Sequence, residues 1–179
     1  VLGRIPRLVL SVSATTRPRR EGEVDGRDYY FLDKDEFQAR ASAGEFLEWA
    51  EYAGHLYGTP RQAVEAELAA GHDVILEIEL EGARQILERC PDALMIFIMP
   101  PSEEELERRL VGRKTESARS LRRRLARARE EMNAVRGGAW EAPRQFDYVI
   151  LNDTVDRAGE ELAAIIKRTK EEDEQAHCR

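Results

Sequence analysis

The sequence predicts an α/β fold: a parallel sheet wrapped by helices on both faces, with a small β-rich insertion. Three observations carry this. From residue 60 onward, short apolar runs rich in β-branched residues alternate with segments of helical periodicity. The run 93–98 (Ala-Leu-Met-Ile-Phe-Ile) is apolar at every position, the pattern of a strand covered on both sides. Between residues 28 and 52 the strand-like runs are separated by nothing long enough for a crossover helix, which predicts an antiparallel insertion. A chain of 179 residues suits one domain with a substantial core.

In chain order, residues 8–12 (Leu-Val-Leu-Ser-Val) read as a buried strand, followed by a polar, arginine-rich loop over 13–27. Residues 28–32 read as a strand. Asp33 is placed to cap a short helix that Gly44 stops. Residues 45–52 alternate as a strand and put Glu48 on the same side as Phe46 and Tyr52, where a carboxylate needs a reason. Pro60 suits a first helical turn, with Val64, Leu68 and Ala69 at helical spacing and Gly71 at the end. Residues 74–79 read as a strand, 81–90 as a helix and 93–98 as a strand. Ser102 with Glu105 forms a capping box for a helix to about residue 111. An arginine-rich helix follows over about 117–135, then a Gly-Gly loop, a strand over 148–151 and a final helix capped by Asp153. The tail after Lys170 is charged and expected to fray.

Composition excludes several classes. The apolar fraction of 42% is too high for a disordered chain. No apolar run approaches the roughly 18 residues of a membrane span, and no signal peptide opens the chain, so no membrane partner is expected. Cys90 and Cys178 make no disulfide framework, and a reduced, cytoplasmic compartment is expected. The net charge of −7 argues against a nucleic-acid partner. Yet residues 108–129 hold nine arginines and one lysine against a single acid, Glu116. That cluster suits a local anionic ligand or, more plainly, a solvated basic helix face.

Four groups of residues carry candidate chemistry. In Ser11-Val12-Ser13-Ala14-Thr15-Thr16-Arg17-Pro18-Arg19-Arg20-Glu21-Gly22-Glu23, a strand end delivers hydroxyls and arginines into a loop. Ligands of open α/β sheets bind at such ends, and the guanidinium fork matches phosphate; an ordinary basic loop is the alternative. Glu48, amid apolar neighbours and followed by Tyr57-Gly58-Thr59, offers an acceptor pair matching the adjacent N1–H and N2–H2 of guanine, whereas adenine presents an acceptor at N1. In isolation the residue reads first as a half-exposed Glu in a salt bridge. Glu77 and Glu79 point to one side of a strand end, fit to accept from a ligand, to hold a hydrated cation or simply to face water. Arg109, Arg113 and Arg124, on two helices joined by a short turn, suit a lid over phosphates.

The blocks Ser-Val-Ser-Ala-Thr-Thr-Arg, Gly-Glu-Val-Asp-Gly, Asp-Tyr-Tyr-Phe, Glu-Phe-Leu-Glu-Trp-Ala, Tyr-Gly-Thr-Pro and Gly-Arg-x-Thr-Glu-Ser, in this order, resemble guanylate kinase from about Pro6 to Ile166. The resemblance implies a parallel P-loop-kinase-type sheet with helices on both faces, a small mixed-β monophosphate-binding insertion and a helical lid. It implies phosphorylation of GMP to GDP by ATP, with magnesium bridging the donor phosphates and no metal site built from protein ligands. By motif, Arg17, Arg20, Tyr29 and Tyr57 would hold the phosphate of GMP with Ser13 nearby. Glu48 and Thr59 would read the guanine, and Glu79 would face the nucleotide. Arg109, Arg113 and Arg124 match the lid and catalytic arginines, and Asn152 matches the Asn after the final strand. The implied division is a core over 1–27, 58–108 and 145–170, a GMP-binding part over about 28–57 and a lid over about 109–135.

Lys114, Glu81 and Arg19 stand where the family usually has Gly, Gln and Pro, and residues 136–144 resemble a short insertion. None removes a required donor. The 179 residues contain no Gly-x-x-x-x-Gly-Lys-[Ser/Thr] run. Against the family, roughly 20–25 residues bearing that donor loop are expected upstream of Val1. The rival expectation is an inactive interaction module that uses the old nucleotide site; the full set of acceptor and lid residues argues against it.

Overall fold

The computed structural model describes residues 1–112 and 118–177, and side chains over 1–112 and 121–172. Two compact units divide the chain: residues 7–93 with 141–144, and residues 1–6, 94–140 and 145–179.

The first unit is rich in strands. Its elements are β1 (Leu8–Leu10), β2 (Ala14–Thr15), β3 (Tyr30–Phe31), α1 (Lys34–Ser42), β4 (Phe46–Tyr52), β5 (His55–Pro60), α2 (Arg61–Ala69), β6 (Asp73–Ile75) and α3 (Leu80–Arg89). β1 and β6 pair in parallel, Leu8 opposite Asp73. The other strands form a four-stranded sheet in the order β3-β2-β5-β4. The β4–β5 hairpin turns on Ala53 and Gly54, with φ of 54° and 89°. A two-residue turn with both φ positive matches the natural twist of paired strands. Asp33 caps α1 as the sequence predicts, its Oδ1 accepting the Glu36 N–H at 2.7 Å. Phe37 of α1 is fully buried and stacks on Phe46 at 4.6 Å, forming one core with Ala14 and Leu56. Gly58 permits this packing, because a Cβ there would lie 3.1 Å from the Phe37 ring and 3.0 Å from Trp49 Cβ.

Two expectations for this unit change. The stretch expected as a loop contains β2, which pairs antiparallel with β5 and parallel with β3, so the insertion is mixed rather than antiparallel. The strand expected over 74–79 stops at Ile75, because β1 offers only three residues and the Ser11 N–H closes the pair on the Ile75 carbonyl. The backbone beyond it leads to Glu79, the extended N-cap residue of α3.

The second unit holds β7 (Ile96–Met99), α4 (Glu103–Gly112), α5 (Ala118–Arg136), β8 (Tyr148–Leu151) and α6 (Val155–His177), after a 3-10 turn at Leu2–Arg4. β7 and β8 are parallel, Ile96 opposite Tyr148. Ser102 caps α4, its hydroxyl accepting the Glu105 N–H at 3.2 Å. Ile150 packs with Ala158 and Ile165 of α6. Trp140, from the 136–144 stretch, stacks on Phe146 at 4.3 Å, and Phe146 meets Phe97.

Here too the structure corrects details. Neither face of the β7–β8 pair is fully covered among the described residues: Met99 is buried on the face it shares with exposed Val149 and Leu151, and Ile150 is buried on the face it shares with exposed Ile98. Thr154, not Asp153, caps α6, its hydroxyl accepting the Arg157 N–H; Asp153 instead pairs with the Arg157 side chain. α6 continues past Lys170 to His177, so the backbone stays helical where fraying is expected. No helix among the described residues is long and apolar enough to cross a membrane.

Candidate active site

The strand-rich unit gathers two polar groups. At one end, the chain leaving β2 turns Arg17 inward. Its side chain is only 9% exposed. Nη2 donates to Glu23 Oε1 at 2.7 Å, and Nη1 donates to Glu23 Oε2 at 3.1 Å and to the Pro18 carbonyl at 2.7 Å. These bonds use both Nη1 hydrogens and one on Nη2, so the side fork of Nε–H and the second Nη2–H is not committed to Glu23. The cation lies 5.3 Å from the Tyr29 ring centroid and 5.7 Å from that of Phe31. Burial draws the guanidinium down, but pairing with Glu23 outweighs it and the pKa is raised.

Glu23 also accepts the backbone N–H of Arg20 at 2.7 Å, so one carboxylate holds the Arg17 side chain and the Arg20 backbone. The hydrogen bond from Arg17 holds its carboxyl below the usual range. The Arg20 side chain is exposed. Tyr29 meets Tyr57 edge-on at 6.1 Å, and the Tyr57 hydroxyl is a hydrogen-bonding neighbour of Arg17. Burial, then the neighbouring Tyr57 and Glu77, raise the Tyr29 pKa. Ser13 lies just before β2, where its carbonyl accepts the Tyr30 N–H. Arg17, Arg20, Tyr29 and Tyr57 thus share one end of the sheet.

The other group lies on β4 and β5. Glu48 is 4% exposed, and Thr59, opposite it in the ladder, is fully buried. The Thr59 hydroxyl donates to Glu48 Oε1 at 2.6 Å. Burial pushes the Glu48 carboxyl above its usual value; Thr59, through its hydroxyl and its backbone N–H, offsets this in part, and Arg89 adds a weaker pull down. A buried carboxylate with a hydroxyl and an amide for partners retains unused acceptor capacity. Glu79 stands at the N-terminus of α3 rather than on a strand.

In the second unit, Arg109 donates to Glu105 at 2.6 Å and to the Asp153 carbonyl at 3.1 Å. Glu105 also takes two bonds from Arg108, and these two arginines push its carboxyl down to about 2. Arg124 lies on α5, half-buried. Arg113 lies outside the described residues. Asn152 follows β8 with its N–H on the Met99 carbonyl, and its buried Oδ1 has no hydrogen-bond partner among the described residues. Glu23 falls within the arginine-rich block that the sequence marks but receives no role there. Its signal is its place six residues after Arg17, at a turn where Gly22 has φ 86°.

A family model described as guanylate kinase matches residues 5–169. The chain belongs to the guanylate kinase family. It is 52% identical over 167 residues to the guanylate kinase of Rubrobacter xylanophilus, covering 93% of this chain and 83% of that one. It is 51% identical to the guanylate kinase of a Synechococcus strain, covering 91% and 71%. The crystal structure of guanylate kinase from Anaplasma phagocytophilum superposes with a TM-score of 0.73 at 35% identity, over 91% of this chain and 76% of that one. The fold class is therefore the α/β P-loop-kinase type with a small mixed-β insertion.

Proposed function

We infer that this protein is a cytoplasmic guanylate kinase, transferring a phosphoryl group from ATP to GMP to give GDP. The observation that carries the reading is the buried Glu48–Thr59 pair within a family whose members bear that name. Glu48 accepts from N1–H and N2–H2 of the base, and Thr59 donates to it. Arg17 and Arg20, with Tyr29 and Tyr57 and with Ser13 nearby, hold the monophosphate. Arg17 approaches it with the fork that Glu23 leaves uncommitted. Glu79 faces the nucleotide. Arg109, Arg113 and Arg124 stabilise the charge of the transferring phosphoryl group, and Asn152 belongs to the same nucleotide-handling set. Residues of about 28–57 form the GMP-binding part and about 109–135 the lid, on a core of 1–27, 58–108 and 145–170.

No protein nucleophile is required, because a phosphate oxygen of GMP attacks. Catalysis is then positioning and charge stabilisation. Among the described residues no three His, Cys, Asp or Glu side chains cluster as a metal cage. Magnesium belongs to the reading as an ion carried by the nucleotide phosphates, and no step is assigned to it. Calorimetric titration of the full protein tests the substrate class. GMP is expected to bind and AMP not to compete, whereas equal affinity for the two would remove Glu48 and Thr59 as base readers.

A further inference from the structure

Glu48 faces a helix as well as a strand. Gly82 lies in the first turn of α3, and a Cβ built on it would fall well inside van der Waals contact of Glu48 Oε2 and 3.0 Å from Cδ. The carboxylate therefore occupies the space that any other residue at position 82 would fill. Oε1 is the oxygen bonded by the Thr59 hydroxyl, and Oε2 is the one against Gly82.

α3 is not free to retreat. One turn after Gly82, the Gln85 side chain makes two bonds to the β4 backbone: Nε2 donates to the Trp49 carbonyl at 2.9 Å, and Oε1 accepts the Trp49 N–H at 3.2 Å. One turn further, Arg89 Nη1 donates to the Phe46 carbonyl at 3.3 Å. Helix and strand are thus tied on the C-terminal side of the close approach, and Ile78 Cβ, 3.3 Å from the built Cβ, closes the N-terminal side. The group left to yield is the end of the Glu48 side chain.

We propose that Gly82 is a specificity-determining position. Its lack of a side chain leaves the Glu48 carboxylate room to stand where it reads the 2-amino group of guanine, so the α3 glycine and the β4 glutamate act as one recognition unit. The proposal rests on the assignment of Glu48 as the base reader. It differs from a packing role in its consequence. Alanine favours a helix more than glycine does, and the displaced atoms are a side-chain end, so the fold persists while base reading is lost.

The test measures affinity for GMP and for inosine monophosphate, which keeps N1–H and the phosphate but lacks the 2-amino group. It uses the full protein and its Gly82→Ala, Glu48→Gln and Glu48→Asp variants, with the Gly82→Ala/Glu48→Asp double variant. Circular dichroism is used to check that each is folded. Gly82→Ala is expected to weaken GMP binding roughly ten- to hundredfold, the effect of one buried acceptor pulled off its partner. Inosine monophosphate should lose less, so the preference for GMP collapses. In the Glu48→Asp background the shorter acid does not reach position 82, and adding Gly82→Ala should change the preference little.

Equal losses for both nucleotides, or the same loss in both backgrounds, would make Gly82 a packing residue and overturn the inference. A preference that falls in Glu48→Gln but survives in Gly82→Ala would overturn the inference alone. A preference intact in Glu48→Gln would overturn the base-reader assignment itself.

Discussion

The two ends of the strand-rich unit bury charge in opposite ways. At the end proposed to hold the phosphate, Arg17 and Glu23 are 9% and 18% exposed and satisfy each other through two bonds, with aromatic rings beside the cation. At the end proposed to read the base, Glu48 is 4% exposed, its carboxylate held by the hydroxyl and backbone N–H of Thr59. One carboxyl is held below its usual pKa and the other pushed above it. A matched pair stabilises the fold while it waits for a ligand. An unmatched carboxylate costs stability, and on the proposed reading a donor-rich base offsets that cost, which would make the site selective.

Breaking the matched pair from the cationic side gives the largest expected effect. Arg17→Ala should weaken GMP binding by about 1.5–3 kcal/mol, the range of a charge-assisted bond, while guanosine binding barely changes. Titration of both ligands checks this, and equal losses would make Arg17 purely structural.

Breaking it from the anionic side should do less. Glu23→Gln leaves the arginine in place but loosens it and the Arg20 backbone, with an expected loss near 1 kcal/mol in GMP affinity, since Glu23 is partly exposed. The pair also has a pH signature. The folded-state pKa of Glu23 lies below 4.5, so its contribution to stability is full above that value and is lost as pH falls through the lower folded value. Acid unfolding of Glu23→Gln should lack that component.

The smallest effect belongs to the other unit. Glu105 pairs with Arg108 and Arg109 by local i,i+3 and i,i+4 contacts at the surface. Glu105→Gln should leave thermal stability indistinguishable from the parent, whereas a clear drop in the melting midpoint would mean that those arginines are structurally committed.

What the sequence reveals follows the same division. The alternation of residues 45–52 is enough to place Glu48 on the buried side of β4, because a period of two acts over seven residues. Asp33 is recognisable as a cap because capping is local. β2 is not recognisable, since a two-residue strand has no period and its burial comes from partners tens of residues away. The Arg17–Glu23 pair is hidden because six residues across an irregular turn correspond to neither helical nor strand spacing. Gly82 is hidden for a stronger reason: its only mark is the lack of a side chain, and the carboxylate that needs the space is 34 positions earlier. The exposed residues Ile98, Val149 and Leu151 show the limit of reading burial from apolar runs. Such a run is compatible with two covered faces but does not supply the covering.

The contrast between the two carboxylates is tested most directly by Glu48→Gln, followed in two quantities at once. With a folded-state pKa above 4.5, Glu48 favours the folded state below 4.5 and loses that contribution as pH rises through the higher folded value. At neutral pH, burying the charged form opposes folding. Replacing it with the neutral amide should therefore raise the melting midpoint of the ligand-free protein. The same change puts a donor toward the N–H groups of guanine and should weaken GMP binding by about 1–3 kcal/mol. Opposite movements of stability and affinity are the predicted result. A variant that binds GMP as tightly as the parent, or that loses stability and affinity together, would contradict the reading of Glu48 as an unmatched carboxylate held for the base.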